Sequence, residues 1–571
     1  MKEPCYFHDH EVILNYSAEF VTSTSQLLDS QVFNEFLDHY LTYLDSHRGD
    51  LRVFLYKNTD ERKKVKEDLK NVLHVLLLMN MNKVDMPYLQ LPETMQDVIE
   101  EGYRYWNSLQ RFSVLYAQRA DSYQTNSFMN VDNQINEVAR NFFRTVEAKI
   151  TGRADNVYRQ IQAGTNASLL MQKYAWKCPK EYQELADIDF VHTIMVRTPL
   201  IIHTKSNKRT NTFAPSDHNP VLDFKKGDDD WFCFPALVGE VLIFVYFHKD
   251  EMSSCVATSG LFQLAREEDC RGRKPDAILF FGNPDGTKDT VYYHDTDNHI
   301  WIGKTSASPE IDYFGYTKKS ILTLHNLAMM ERGWLPIHGA MVNLYLKDGR
   351  KKGLMFMGDS GAGKSETIEA LSNLASDQID HQETVFDDMG TIHMDEDGNL
   401  WAQGTEIGAF VRLDDLDKGT AYKDLDRSIF FNPDKKNARV VMPAAPYKVV
   451  IKNHPIDCFV YANNYDDKRG MHVFANEEEA KNVFIQGKRF ALGTTQEKGL
   501  STTFFANPFG PMQEQDICKP LIDKIFAALF EKGIPVGEVY TCLGLPDKGG
   551  HGIDKGAQAL LDFVINNDKQ A

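Results

Sequence analysis

The pattern of apolar and polar positions changes character along the chain. Over residues 1–185, segments such as Gln26–Leu44, Asp60–Met79 and Gln134–Gln162 set apolar residues at i, i+3, i+4 and i+7, with charge on the other face. This spacing predicts amphipathic helices, and the scarcity of glycine and proline there predicts an all-helical N-terminal domain. Tyr103, Tyr105, Trp106, Phe112 and Tyr116 follow the same helical spacing and predict a core or docking face rather than a base-stacking surface. Over 186–317 the pattern shifts to short apolar runs between polar turns. Val191–Val196, Val241–Phe247, Ala277–Phe281 and Thr290–Tyr293 predict strands of a β-rich lobe. From 318 to 571 the two periods alternate. Helix Lys318–Arg332 closes at Gly333, strand Leu335–His338 follows, and a second β-rich region turns at Asp395–Gly398 and at Asn432-Pro433. The chain then predicts helix Ile517–Lys532, strand Gly537–Cys542, a glycine-rich loop at Gly544–Gly552 and a last helix, Asp554–Ile565. The fold class is α/β (α+β), with a helical domain at 1–185 ahead of lobes at 186–317 and 318–571.

Composition bounds the function. A chain of 571 residues exceeds one typical core, so two or three domains are expected. The 42% hydrophobic and 25% charged content describes a folded chain. A formal charge of −18 excludes nucleic acid and anionic membrane as the main partner. The eight cysteines show neither C-x-x-C pairing nor zinc spacing and predict reduced, packed thiols. Met1–His10 has no signal-peptide core, and the apolar runs Val72–Met79 and Leu237–Phe247 fall short of the roughly 20 residues a bilayer requires. A cytoplasmic location is expected.

The chemistry centres on Gly353–Thr367. Leu354–Met357 read as a buried strand, and Glu366–Leu374 continue with helical spacing. Between them Gly358, Asp359, Ser360, Gly361, Ala362, Gly363, Lys364 and Ser365 fit G-x-x-x-x-G-K-S/T. Glycines in such a loop let backbone N–H groups face phosphate oxygens, and the next helix adds its positive end. Lys364 would reach the β- and γ-phosphates, and the Ser365 hydroxyl would ligate Mg²⁺. Val385-Phe386-Asp387-Asp388 supplies carboxylates of the kind that hold such a metal near a transferring phosphoryl group.

Several separated stretches then resemble, in order, the ATP-dependent phosphoenolpyruvate carboxykinases. Lys274–Gly282 is similar to that family's K-P-D-x-I-x-x-x-G strand, and Tyr313–Lys319 to its Y-x-G-x-x-K-K segment, with His338 following at the family's spacing. After the glycine loop and Asp387-Asp388, Ala438–Pro443 resembles T-R-V-x-Y-P. Ala491–Gly499 and Thr502–Gly510 resemble L-A-G-T-E-R-G and T-F-S-A-C-F-G. The resemblance implies a two-lobed kinase core using ATP, with GTP left open, and two cations. Lys319, His338 and Asp388 would ligate Mn²⁺, and Asp387 and Ser365 a nucleotide-bound Mg²⁺. Arg439 would meet the transferring phosphoryl group, while Tyr313 and Lys318 would face oxaloacetate or phosphoenolpyruvate. The family's T-G-R-S-P loop has no match. His203–Arg209 stands nearest and offers Lys205 or Arg209 in its place. Where the family sets an arginine beside the adenine, Lys548–Gly552 has glycines and a histidine. Ile337–Val342, the glycine loop and Glu366 also resemble the HPr kinase/phosphorylases, which phosphorylate a protein serine. The alternatives are therefore a different small-molecule or protein acceptor, with the N-terminal domain docking a protein partner, or a silent nucleotide-binding regulator.

Overall fold

The computed structural model describes residues 2–80, 86–117, 125–151, 162–208, 213–227, 229–359, 361–374, 378–413, 425–492, 498–545 and 549–566. The chain folds into two compact units. The first comprises residues 1–173, 188–200 and 227–230, the second 174–187, 201–226 and 231–571. Among the described residues, no helix is long and apolar enough to cross a membrane.

The first unit joins helices to a sheet. Its elements are β1 (Cys5–His8), β2 (Glu11–Asn15), α1 (Thr24–Asp29), α2 (Gln31–His47), α3 (Gly49–Leu55), α4 (Arg62–Leu78), α5 (Pro92–Ser108), β3 (Gln110–Tyr116), α6 (Thr125–Thr151), β4 (Ala167–Gln172) and β5 (Asp189–Val196). The helices form where the apolar stripe predicted them. Leu37, Tyr40 and Leu44 of α2, Leu69 and Leu73 of α4 and Val98 of α5 share one buried core. Residues 152–161, the end of the predicted Gln134–Gln162 helix, lie outside the described residues.

The expectation of an all-helical N-terminal region does not hold. β2 runs parallel to β3, and β3 parallel to β4, with β1 and β5 antiparallel at either side. The aromatic series explains the difference: α5 ends at Ser108, and Phe112 and Tyr116 belong to β3. A separation of four keeps two side chains on one helix face, but being even it also keeps them on one strand face.

The second unit contains the glycine-rich segment and the carboxylates that follow it. Strands β6 (Trp231–Val238), β7 (Val241–His248), β8 (Ala277–Asn283), β9 (Thr290–Asp295) and β10 (Ile300–Ser306) form one sheet, with β7, β8 and β10 parallel to one another. Every residue of β7 is buried, as a near-continuous apolar run requires. Helix α7 (Gly315–Glu331) is buried on almost all sides, and Lys318, His325 and Asn326 are sealed with its apolar residues.

A second sheet supports the glycine loop. Its centre is β11 (Leu335–Leu346), β12 (Lys351–Met357) and β13 (Ile379–Met394), with β11 antiparallel to both others. β14 (Leu400–Gly404) extends it beyond β13. On the other side, β12 pairs in parallel with Cys458–Asn463, which pairs in parallel with Val536–Tyr540. β15 (Gly408–Arg412), β16 (Ile429–Phe431) and β17 (Arg439–Pro443) form a smaller antiparallel group, with β17 between the other two. The molecule is thus mixed α/β with mixed sheets. All eight cysteines are free thiols, and burial pushes Cys458 and Cys518 up to about 12, keeping them protonated.

Candidate functional site

The glycine-rich segment joins β12 to helix α8 (Lys364–Leu374). Gly363 has φ of +100°, and a Cβ there would stand 2.7 Å from the Thr541 methyl, so backbone conformation and space both demand glycine. The loop's carbonyls are held: Asn464 Nδ2 donates to Gly361 O at 3.0 Å, and Thr541 Oγ1 to Ala362 O at 2.8 Å. Lys364 is 6% exposed, and its Nζ donates to Gly358 O at 2.8 Å and to Asp359 O at 3.3 Å. The ammonium therefore lies folded over the loop. Asp359 pairs with Arg489, Nε to Oδ2 3.1 Å. Ser360 lies outside the described residues.

β13 brings two carboxylates to this loop. Its pairing with β11 steps from Met341 opposite Phe386 to Val342 opposite Thr384, which marks a bulge at Val385. Just beyond that bulge Asp387 accepts from Ser365 Oγ at 3.0 and 3.1 Å. Asp388 accepts from Lys318 Nζ and lies 3.0 Å from His338 Nε2. Bulges commonly re-aim side chains beside functional sites. Asp388 also has φ of +131°, a conformation costing a residue with a side chain about 1–3 kcal/mol, so the surrounding contacts must hold it there.

His338 is fixed from behind. Its Nδ1 donates to Ala506 O at 2.8 Å, and Phe505 and Ala506 carry φ of +51° and +43° to present that carbonyl. With Nδ1 protonated, the Nε2 lone pair faces Asp388, and a proton or a cation must lie between them. Lys319, expected to be a metal ligand, has its Nζ 5.1 Å from the Phe509 ring centroid, and that ring packs against His338. Lys318 is the lysine on Asp388, and it also reaches Glu406 Oε1 at 3.1 Å.

Burial and charge set the protonation of this group. Burial alone would lower the Lys318 pKa, but Asp388 and Glu406 outweigh it and hold the ammonium above the ordinary lysine range. Burial would raise Asp388, yet Lys318 and the His338 hydrogen bond keep it well below the usual carboxylate range. Burial pushes Asp387 up. Glu406, 1% exposed, is pushed by burial to about 8 despite Lys318, with the Asp388 charge adding to the rise. One ammonium thus neutralises one carboxylate, and the second keeps its proton. Because the folded pKa of Glu406 exceeds its unfolded value of 4.5, the favourable contribution of its proton is complete below 4.5 and is lost as pH rises toward 8. Glu406→Gln is expected to remove this slope. Urea midpoints between pH 5 and 8 should fall for the natural protein relative to the variant, and parallel curves would show that Glu406 is already ionised.

The remaining expected residues gather on Phe410 of β15. Lys318 Nζ and the Arg439 guanidinium carbon each lie 5.8 Å from its ring centroid, and the Tyr313 ring lies 6.0 Å away. Arg439 Nη2 donates to Asn437 Oδ1 at 3.1 Å, while its buried Nε has no hydrogen-bond partner among the described residues. Arg412 stands opposite Arg439 in the strand pairing, which adds positive charge. The loop carrying Lys205 sits beside them. Thr204 N donates to Asn432 Oδ1 at 3.0 Å, Lys205 N to Asp312 Oδ2 at 2.6 Å, and Asn437 Nδ2 to Asn207 O at 2.7 Å. Asn437, φ +63°, therefore links this loop to Arg439. The Lys205 side chain is exposed, and Arg209 lies outside the described residues.

Among the described residues, no group of three or more His, Cys, Asp or Glu is disposed to hold a metal ion. His338 with Asp388 is a two-residue arrangement, and Ser365 with Asp387 another. Sequence reasoning missed Glu406, Phe410 and Arg412. The only signal for them was their position on the run between Asp388 and Arg439. The chain matches no protein-family model, and no curated protein matches it.

Proposed function

We propose that the second unit is an ATP-dependent phosphotransferase of the phosphoenolpyruvate carboxykinase type, converting oxaloacetate and ATP to phosphoenolpyruvate, ADP and carbon dioxide. The observation that carries this reading is that neighbouring residues of one strand serve the two halves of the site. Asp387 meets Ser365 of the glycine loop, and Asp388 meets His338 and Lys318. Phosphoryl transfer asks a protein for positioning and positive charge rather than covalent chemistry. Lys364, folded over the loop, would turn to the β- and γ-phosphates. Arg439 would meet the transferring phosphoryl group, and its unpartnered Nε suits an anion that supplies the missing acceptor. Lys318 and Tyr313, together on Phe410, would hold the carboxylate and enolate of the acceptor, with Lys205 at the rim.

The donor chemistry fits divalent cations. With the proton between them displaced, His338 Nε2 and the Asp388 carboxylate would offer a nitrogen and an oxygen donor of the kind that suits Mn²⁺, with Lys319 on the Phe509 ring that packs against His338, and Ser365 with Asp387 suits Mg²⁺. Bound there, these ions would neutralise phosphate charge. Lys318 holds Asp388 in their place, so its ammonium must yield or share that carboxylate.

The test is release of phosphoenolpyruvate and ADP by the purified chain given ATP, Mg²⁺, Mn²⁺ and oxaloacetate. Turnover is expected, with loss of about two to three orders of magnitude in Arg439→Gln, in keeping with removal of one charged donor, which is worth about 10²–10³-fold. ATP binding without oxaloacetate turnover would overturn the carboxykinase reading. Assays with a serine-bearing protein acceptor would then decide for the HPr-kinase type.

A further inference from the structure

We propose that the helices of the first unit bind a small apolar molecule about the size of one benzene ring. This inference stands apart from the nucleotide reading. A cavity of about 110 Å³ lies among α1, α2, α4, α5 and α6. Its walls are aliphatic and aromatic, and the polar tips of two of its aromatic residues are turned away. Tyr40 Oη donates to Val98 O at 2.7 Å and Trp106 Nε1 to Ala163 O at 2.8 Å. A water inside needs two to four polar partners, which these walls do not offer. An apolar void of roughly 150 Å³ is known to stay dry and to take up benzene or xenon.

The frame favours a ring over a chain. Phe33 meets Phe142 edge-on at 5.6 Å, and Phe36 meets Trp106 edge-on at 5.7 Å. Aromatic walls braced in this way present edges and faces to a further ring in the geometry that aromatic pairs prefer. Tyr103, Trp106 and Phe143 are half-buried rather than buried, which gives a ligand a route from solvent.

Gly102 shows that the space is kept open. It lies inside α5, where alanine would hold the helix better. An added Cβ would meet the Tyr40 ring at 3.5 Å, an ordinary contact, so nothing excludes alanine. What the glycine preserves is the volume between α5 and Tyr40.

The experiment uses the full chain with benzene, indole, xenon and decanoate as probes. Benzene and indole should raise the melting temperature saturably, and xenon should bind as a single site among α2, α5 and α6 in a pressurised crystal. Gly102→Ala is expected to weaken benzene binding tenfold or more, and Ala139→Leu, which fills the cavity from α6, to abolish it without lowering the melting temperature. Absence of saturable benzene and xenon binding would overturn the proposal. So would binding unaffected by either substitution, or binding of decanoate alone, which would mark a chain-binding channel. If Ala139→Leu does not fold, Gly102→Ala decides, since its methyl group meets no atom closer than 3.5 Å.

Discussion

Replacing Lys364 by alanine is expected to weaken ATP binding about tenfold to a hundredfold and to lower phosphoryl transfer by roughly 10²–10³. The first figure follows from a charge-assisted hydrogen bond, worth about 1.5–3 kcal/mol at about 1.4 kcal/mol per decade. The second follows from removing a positive charge that would turn from the loop carbonyls to the transferring group. The fold should survive, because among the described residues the lysine's hydrogen bonds go to Gly358 O and Asp359 O of the loop itself, and its charge acts on Asp387 and Asp388 without bonding them. Calorimetric titration with ATP and Mg²⁺, with circular dichroism as the control, separates binding from folding. Lys364→Arg should not rescue, since a planar guanidinium fork does not reproduce the compact ammonium that reaches the Gly358 and Asp359 carbonyls. Unchanged ATP affinity in Lys364→Ala would reduce the glycine segment to an ordinary turn between β12 and α8.

Several parts of this site were legible in the sequence because they are local. The glycine loop between an apolar strand and a helix is a pattern of consecutive residues, and β12 and α8 fall where it predicts. Asp387-Asp388 behind Val385-Phe386 was legible as a strand-borne pair for the same reason. The meeting of His338 with Asp388 depends on a register that includes a bulge, and no spacing in the sequence reports a bulge. The choice between Lys318 and Lys319 was illegible for another reason. On an amphipathic helix the apolar stripe shows which way each position faces, but α7 is buried on almost all sides and has no polar face to read against. Glu406 gave no signal because a single carboxylate between Thr405 and Ile407 acquires meaning only through Lys318, 88 positions away in a separate element. The N-terminal sheet was missed where one spacing served two periods, at Phe112 and Tyr116.

Lys318→Met is expected to destabilise the second unit by about 1–3 kcal/mol at neutral pH, between the cost of losing a solvated pair and that of a fully buried one, because Lys318 is sealed while Asp388 is half-buried. Methionine preserves the volume of the lysine stem, so the loss is electrostatic. Glu406 still holds its proton below about 8, and the stranded charge is therefore that of Asp388. In the natural protein Asp388 titrates well below 3.8, so its favourable contribution is present above 3.8 and is lost as pH falls through the folded pKa. Without Lys318 burial dominates and its pKa must rise above 3.8. The penalty then grows as pH rises from 3.8 and vanishes below it. Urea titrations of both proteins should therefore begin to diverge below pH 3.8, as the natural protein gains stability above its folded Asp388 pKa, and diverge further above 3.8 as the variant loses it. Lys318→Met combined with Asp388→Asn should recover most of the loss, because an amide leaves no charge to strand. A neutral-pH cost below about 1 kcal/mol, the range of a solvated pair, would mean that water screens the half-buried Asp388 as fully as an exposed carboxylate. Recovery in the double variant without return of turnover would separate two duties of Asp388: paired with Lys318 it holds the folded chain, and as a carboxylate beside His338 it would serve the proposed phosphoryl transfer.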